Sequence, residues 1–199
     1  MVKIKICGLK REEDIEYINE FLPDYAGFVF AKKSKRYVTP EQAKELISKL
    51  DKRIKSAGIF VNTPIEEVNQ IASLCGLYVV QLHGDETPEE SRKAKIKVWK
   101  ALSVKGKEIE DELKKFKDSV ELFVLDNGTG GTGEKFDWEI VKGLSAKYKI
   151  FLAGGITPEN AKEEESEVKP YGIDVSSGVE TDGVKDREKI ERLIGNLRK

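Results

Sequence analysis

At 199 residues, with 35 basic and 36 acidic side chains and a formal charge of −1, the chain has the length of one domain and no global field for nucleic acid or an anionic membrane. No apolar run approaches the roughly 18 residues of a transmembrane helix, and Met1–Lys10 lacks the apolar centre of a signal peptide. Charged residues reach 36% against one Met and two Cys, a balance that leans towards a thermophile surface.

Two kinds of segment alternate along the chain. Short runs rich in Val, Ile, Leu and Phe predict strands at Val2–Cys7, Tyr25–Phe30, Ser56–Val61, Tyr78–Leu82, Val98–Val104, Leu122–Asp126, Ile150–Ala153 and Gly172–Ser176. Amphipathic patterns lie between them. Arg11–Phe21 sets Ile15, Ile18 and Leu22 on one face, and Gln42–Leu50 and Ile65–Leu74 follow Thr39-Pro40 and Thr63-Pro64. Thr87-Pro88, Asp137-Trp138 and Thr157-Pro158 open three more, and Ile109–Phe116 and Arg187–Leu197 supply the rest. In a Thr-Pro start the hydroxyl caps the first turn, and proline at the first helical position needs no N–H. Lys162–Lys169 fits a short solvated helix.

Strict alternation of this kind predicts a parallel sheet with right-handed crossovers. Eight units predict closure into a single (βα)8 TIM barrel over residues 1–199, since an open doubly wound sheet usually has about five or six strands. In a barrel the chemistry sits at the C-terminal ends of the strands.

Alternation on the first strand turns Val2, Ile4 and Ile6 towards helices and Lys5 and Cys7 into the barrel. Cys7 is either a small buried hydrophobe or a reactive thiol above a lysine that favours the thiolate. Cys75 closes a helix and reads as structural. Neither has metal-ligand spacing, and in a chain with no export signal both are expected to be free thiols in the cytoplasm.

Asp126 ends the sixth strand, on the face of Leu122 and Val124, below a glycine-rich loop. There it caps the loop, acts as an acid or base, or does both. Gly128, Gly130 and Gly133 satisfy a dinucleotide fingerprint, but not in an opening βαβ unit, and no acid follows about 20 residues on. A P-loop fails as well, because Glu134 stands where lysine is required.

Gly154-Gly155 and Ser176-Ser177-Gly178 follow the last two strands, where barrels bind phosphate on bare N–H groups. Asp174 faces either the barrel or a polar core cluster. Arg36 lies after the second strand and could clamp a carboxylate in two parallel hydrogen bonds. His83, next to Gln81 on the fourth strand, is an orienting group or a base, with no second or third metal ligand arranged beside it.

Lys5-Ile-Cys-Gly-Leu9, Gly27-Phe-Val-Phe30, Val80-Gln-Leu-His-Gly84, Asp126 with its GGTG and FDW, Leu152-Ala-Gly-Gly155 and Asp174-Val-Ser-Ser-Gly-Val-Glu180 run in order through the whole chain. Together they resemble the phosphoribosylanthranilate isomerases. The resemblance implies a cofactor-free (βα)8 barrel of tryptophan biosynthesis that carries out an Amadori rearrangement on a small phosphorylated substrate, as a monomer or homodimer. It also implies that Asp126 is the general acid and Cys7 the general base. Arg36 would hold the anthranilate carboxylate, Gly154, Gly155, Ser177 and Gly178 the phosphate, and Gln81, His83 and Asp174 would face the substrate. A related sugar-phosphate isomerase of histidine biosynthesis uses paired aspartates on a repeated half-barrel, and Cys7 argues against it. Indole-glycerol-phosphate synthase needs catalytic lysines and a longer N-terminus. A non-catalytic sugar-phosphate-binding barrel would have no use for both Cys7 and Asp126.

Overall fold

A computed structural model describes residues 1–104, 106, 108–126 and 138–198. Its strands are β1 Lys3–Cys7, β2 Tyr25–Val29, β3 Lys55–Phe60, β4 Val79–Leu82, β5 Lys97–Ser103, β6 Leu122–Asp126, β7 Ile150–Leu152 and β8 Gly172–Val175. Each pairs in parallel with the next, and β8 returns to β1 with Lys5 opposite Asp174, closing the barrel. The helices are α1 Glu12–Phe21, α2 Pro40–Ser48, α3 Ile65–Cys75, α4 Pro88–Arg92, α5 Ile109–Phe116, α6 Trp138–Ser145, α7 Ala161–Val168 and α8 Arg187–Arg198. The predicted βα order therefore holds throughout the described residues, with element ends shifted by a few residues.

The side-chain period of two builds two apolar layers. On β6, Leu122 and Val124 join the barrel interior, whereas Phe123 and Leu125 join the layer beneath the helices. The interior is plugged by aromatic rings: Trp99 stacks on Phe151 at 5.1 Å, and Tyr25 meets Trp99 edge-on at 4.8 Å. Gly172 makes room for this plug, because a Cβ there would enter the Phe151 ring. The packed plug closes the lower barrel and leaves polar chemistry to the upper layers.

The Thr-Pro prediction holds at two of its four sites. Thr39 and Thr87 form capping boxes with Gln42 and Glu90. At α3 the cap position is Pro64, with no side-chain bond, so Thr63 does not serve. Thr157 accepts from the Glu159 N–H, but the chain passes through a turn and α7 starts only at Ala161. Helix α7 is also less solvated than its charged sequence suggests, since Ala161, Glu164 and Val168 are buried. Asp137, expected to open α6, lies outside the described residues, as does the GGTG loop.

After β8 come a 3-10 turn, Ser177–Val179, and a two-stranded hairpin, β9 Glu180–Thr181 with β10 Val184–Lys185. Its turn residues Asp182 and Gly183 both have positive φ, the geometry that Asp-Gly adopts in a tight hairpin. This hairpin was not anticipated, although the Asp-Gly pair between short apolar runs is its signal.

Candidate active site

The mouth of the barrel holds a cleft of about 310 Å³. Cys7, Arg36, Gln81, His83, Asp126, Gly154, Gly155, Asp174 and Ser177 all line it, though they come from six different βα units. Gly178 is the exception. A Cβ there would strike the Ile156 carbonyl, so its bareness lets the loop after β8 lie against the loop after β7. Ser34, Ser176 and apolar Val29, Ile59 and Val61 also line it. Ser176 belongs to the loop singled out after the last strand and Val29, Ile59 and Val61 to predicted strands, whereas Ser34 carried no signal of its own.

Cys7 stands opposite Gly27 in the β1–β2 ladder, and its sulfur occupies the space a Cβ at position 27 would need. Directly below, Lys5 is fully buried and donates to Gln81 Oε1 at 2.7 Å and Asp174 Oδ2 at 2.6 Å. Asp174 thus faces the barrel, and its Oδ1 is buried without a hydrogen-bond partner among the described residues. That acceptor lies at the cleft, within the set a ligand hydroxyl could satisfy. Burial works against the Lys5 charge, but Asp174 and the Cys7 sulfur outweigh it and raise its pKa.

Lysine was expected to favour the Cys7 thiolate. Instead, burial pushes the thiol up and Asp174 adds to that, while Lys5 and Lys185 pull it down without prevailing. The physical reason is desolvation: a buried thiolate loses its hydration, and the Asp174 carboxylate paired with Lys5 adds a like charge nearby. Burial likewise depresses His83 against the opposing pull of Asp126, so the imidazole is neutral at physiological pH. Its loop is braced by a buried pair, Lys100 with Glu86 at 2.9 Å, in which Lys100 also donates to the Gly84 carbonyl at 2.6 Å.

After β7, Gly154 and Gly155 adopt φ of 89° and 73°, conformations that a side chain resists. Their N–H groups, with that of Ser177, have no hydrogen-bond acceptor among the described residues. Bare glycine amides beside a short helical turn are groups that a phosphate could accept from. Arg36 reaches the same mouth from the loop after β2, but one edge of its guanidinium is already engaged. Nε donates to Glu180 Oε1 at 2.7 Å and Nη2 to Glu180 Oε2 at 2.6 Å. Sequence reasoning missed Glu180 and Lys185 as neighbours of the site because their hairpin was not foreseen.

A closed parallel barrel that brings a thiol, a carboxylate, an imidazole and two glycine-containing loops to one cleft at its strand ends has the arrangement of a barrel enzyme. Residues 4–196 match the family model described as N-(5'phosphoribosyl)anthranilate (PRA) isomerase. The chain belongs to that family. A relative from Thermoanaerobacter sp. strain X514, named N-(5'-phosphoribosyl)anthranilate isomerase, is 51% identical across 100% of this chain and 98% of its own. The crystal structure of phosphoribosyl anthranilate isomerase from Thermotoga maritima superposes with a TM-score of 0.93 at 36% identity, covering 100% of this chain and 99% of that one. A second solved isomerase, 35% identical with a TM-score of 0.90 and the same coverage, is in complex with reduced 1-(o-carboxyphenylamino)-1-deoxyribulose 5-phosphate.

Proposed function

We propose that this chain converts N-(5-phosphoribosyl)anthranilate to 1-(2-carboxyphenylamino)-1-deoxyribulose 5-phosphate in tryptophan biosynthesis, with Asp126 as general acid and Cys7 as general base. The observation that carries the assignment is topological. Asp126 ends β6 and Cys7 ends β1, with β7 and β8 between them, and the candidate phosphate loops follow those two intervening strands. A sugar phosphate anchored there presents its reacting carbons between the two groups. Its aromatic amine then extends towards Arg36, beyond β2.

The reaction begins with the Asp126 proton passing to the furanose ring oxygen as the anilino nitrogen lone pair expels the C1′–O bond. The resulting iminium acidifies the C2′ proton, which Cys7 removes, and the C2′–H electrons form the enolamine. Tautomerisation delivers the 2′-ketone. C1′ is reduced as C2′ is oxidised, so the electrons balance within one molecule. Burial disfavours the thiolate in the empty cleft, but Lys5, Lys185 and the positive iminium all favour it once the ring has opened. The deprotonated form of the base is therefore favoured most at the step that needs it. The free thiols Cys7 and Cys75 suit a reducing cytoplasm, and the described residues include no helix long and apolar enough to cross a membrane.

Loss of substrate fluorescence measures turnover. Cys7→Ser and Asp126→Asn are each expected to lose at least ~10²-fold in kcat while staying folded by circular dichroism. With deuterium at C2′, Cys7→Ser should show the larger isotope effect, because ring opening limits Asp126→Asn and masks it. Near wild-type turnover in either folded variant would end its assignment.

A further inference from the structure

We infer that Glu180 is a positioning residue for substrate recognition: it occupies one edge of the Arg36 guanidinium and so fixes the other edge for the aromatic carboxylate. This rests on the reading of Arg36 as the holder of that carboxylate. A guanidinium offers five N–H donors in one plane, arranged as two bidentate edges. Glu180 takes the Nε/Nη2 edge, at 2.7 and 2.6 Å. Nη1 has no hydrogen-bond partner among the described residues, which leaves the end it forms with the second Nη2 hydrogen open, and Arg36, with 29% of its side chain exposed, lines the cleft.

Glu180 is built to stay where it is. Its side chain is only 8% exposed, and Oε1 also accepts from Lys185 Nζ at 2.7 Å. Lys189 donates to its carbonyl at 2.6 Å, and Arg11 ties the Lys185 carbonyl back to the start of α1 at 3.1 Å. The stem of Arg36 passes over Gly8, where φ is +82° and a Cβ would run into Arg36 Cδ. Burial opposes ionisation of Glu180, yet Arg36 and Lys185 together hold its pKa down at about 2. The carboxylate is charged whenever the enzyme works.

A substrate carboxylate could instead displace Glu180 from the Nε edge. That would leave a buried carboxylate with only Lys185 for company, a costly exchange. End-on binding avoids the cost, and two cations around one fixed anion still leave a local excess of one positive charge for the substrate. Arginine carries much rotamer entropy, which Glu180 removes before the ligand arrives.

The test uses N-(5-phosphoribosyl)anthranilate turnover and the binding of two inhibitors. One is the reduced carboxyphenylamino-deoxyribulose phosphate, and the other is the same molecule without its carboxylate. Glu180→Gln keeps the shape but loses the charge. It should raise KM and weaken the carboxylated inhibitor by roughly tenfold, with kcat within about twofold. The carboxylate-free inhibitor should bind as before, and in an Arg36→Ala background Glu180→Gln should add no further loss. Glu180→Asp, which withdraws the carboxylate by one methylene, should repeat the selective loss. Tighter or unchanged binding of the carboxylated inhibitor to Glu180→Gln, with Arg36→Ala still selective, would overturn the inference and mark Glu180 as a competitor or bystander. Equal weakening of both inhibitors would also overturn it, by placing the effect in the phosphate turn. If Arg36→Ala weakens both inhibitors alike, the reading of Arg36 itself fails.

Discussion

Adding one methyl group at Gly27 tests whether the position of Cys7 sets the rate. A Cβ at residue 27 would lie 2.8 Å from Cys7 Sγ, 3.0 Å from its Cα and 3.2 Å from its Cβ. Non-bonded contacts relax at about 3.5–4.0 Å, so the thiol must retreat by on the order of 1 Å. A misplacement of that size at a reacting group costs roughly 10²-fold, or about 2.7 kcal/mol of barrier. Overpacking itself should cost about 1–3 kcal/mol of stability, and with about 2–4 °C per kcal/mol for a chain of this size Tm should fall by about 2 to about 12 °C. Substrate fluorescence, followed well below Tm, should show kcat of Gly27→Ala down about 10²-fold and KM nearly unchanged, because the phosphate loops and Arg36 are untouched. Gly58→Ala is the control. Its Cβ meets Leu77, Phe60 and Phe30, so stability should fall and kcat should hold. A stable Gly27→Ala enzyme with wild-type kcat would refute the geometric argument and weaken the assignment of Cys7 as base.

Three further outcomes are expected. Because burial raises the Cys7 thiol, kcat/KM should climb with pH towards a limb above the ordinary thiol value, and Lys5→Met should move that limb higher still; a limb that stays put would mean that the thiol is not the titrating base. Glu164, buried on α7 with Oε2 lacking a partner among the described residues, has its pKa raised from 4.5 to about 8 by burial and by Glu163. The folded state holds that proton more tightly than the unfolded chain, so its charging costs stability progressively as pH rises from about 4.5 through about 8. Glu164→Gln should therefore gain more in Tm over wild type at pH 9 than at pH 5, and an equal gain at both would sink the idea. Lys100→Met leaves Glu86 buried without its cation and should cost about 3–5 kcal/mol, seen as a Tm lower by more than about 6 °C.

The alternation of short apolar runs with amphipathic segments was enough to determine the barrel, because periods of two and 3.6 leave a parallel sheet covered by helices as the consistent solution. The same arithmetic turned Lys5, Cys7, Leu122, Val124 and Asp126 inward, and the structure places them so. Asp174, left open between barrel and core, is decided by its register opposite Lys5. Local signals did less well where tertiary contacts compete with them. Two of four Thr-Pro pairs do not cap the helix that follows.

Electrostatics was out of reach, because a charge's effect depends on who shares it. Lys5 lies next but one to Cys7 in sequence, yet the fold buries the thiol and brings up Asp174, 169 residues from Lys5, and burial first and the Asp174 charge second keep the thiol raised. Arg36 reads as a free fork from its loop, but folding brings Glu180, 144 residues on, to one of its edges. The residue types at the strand ends, and hence the class of chemistry, were legible in the sequence. Their protonation and orientation are set by partners that only the closed barrel brings within 3 Å.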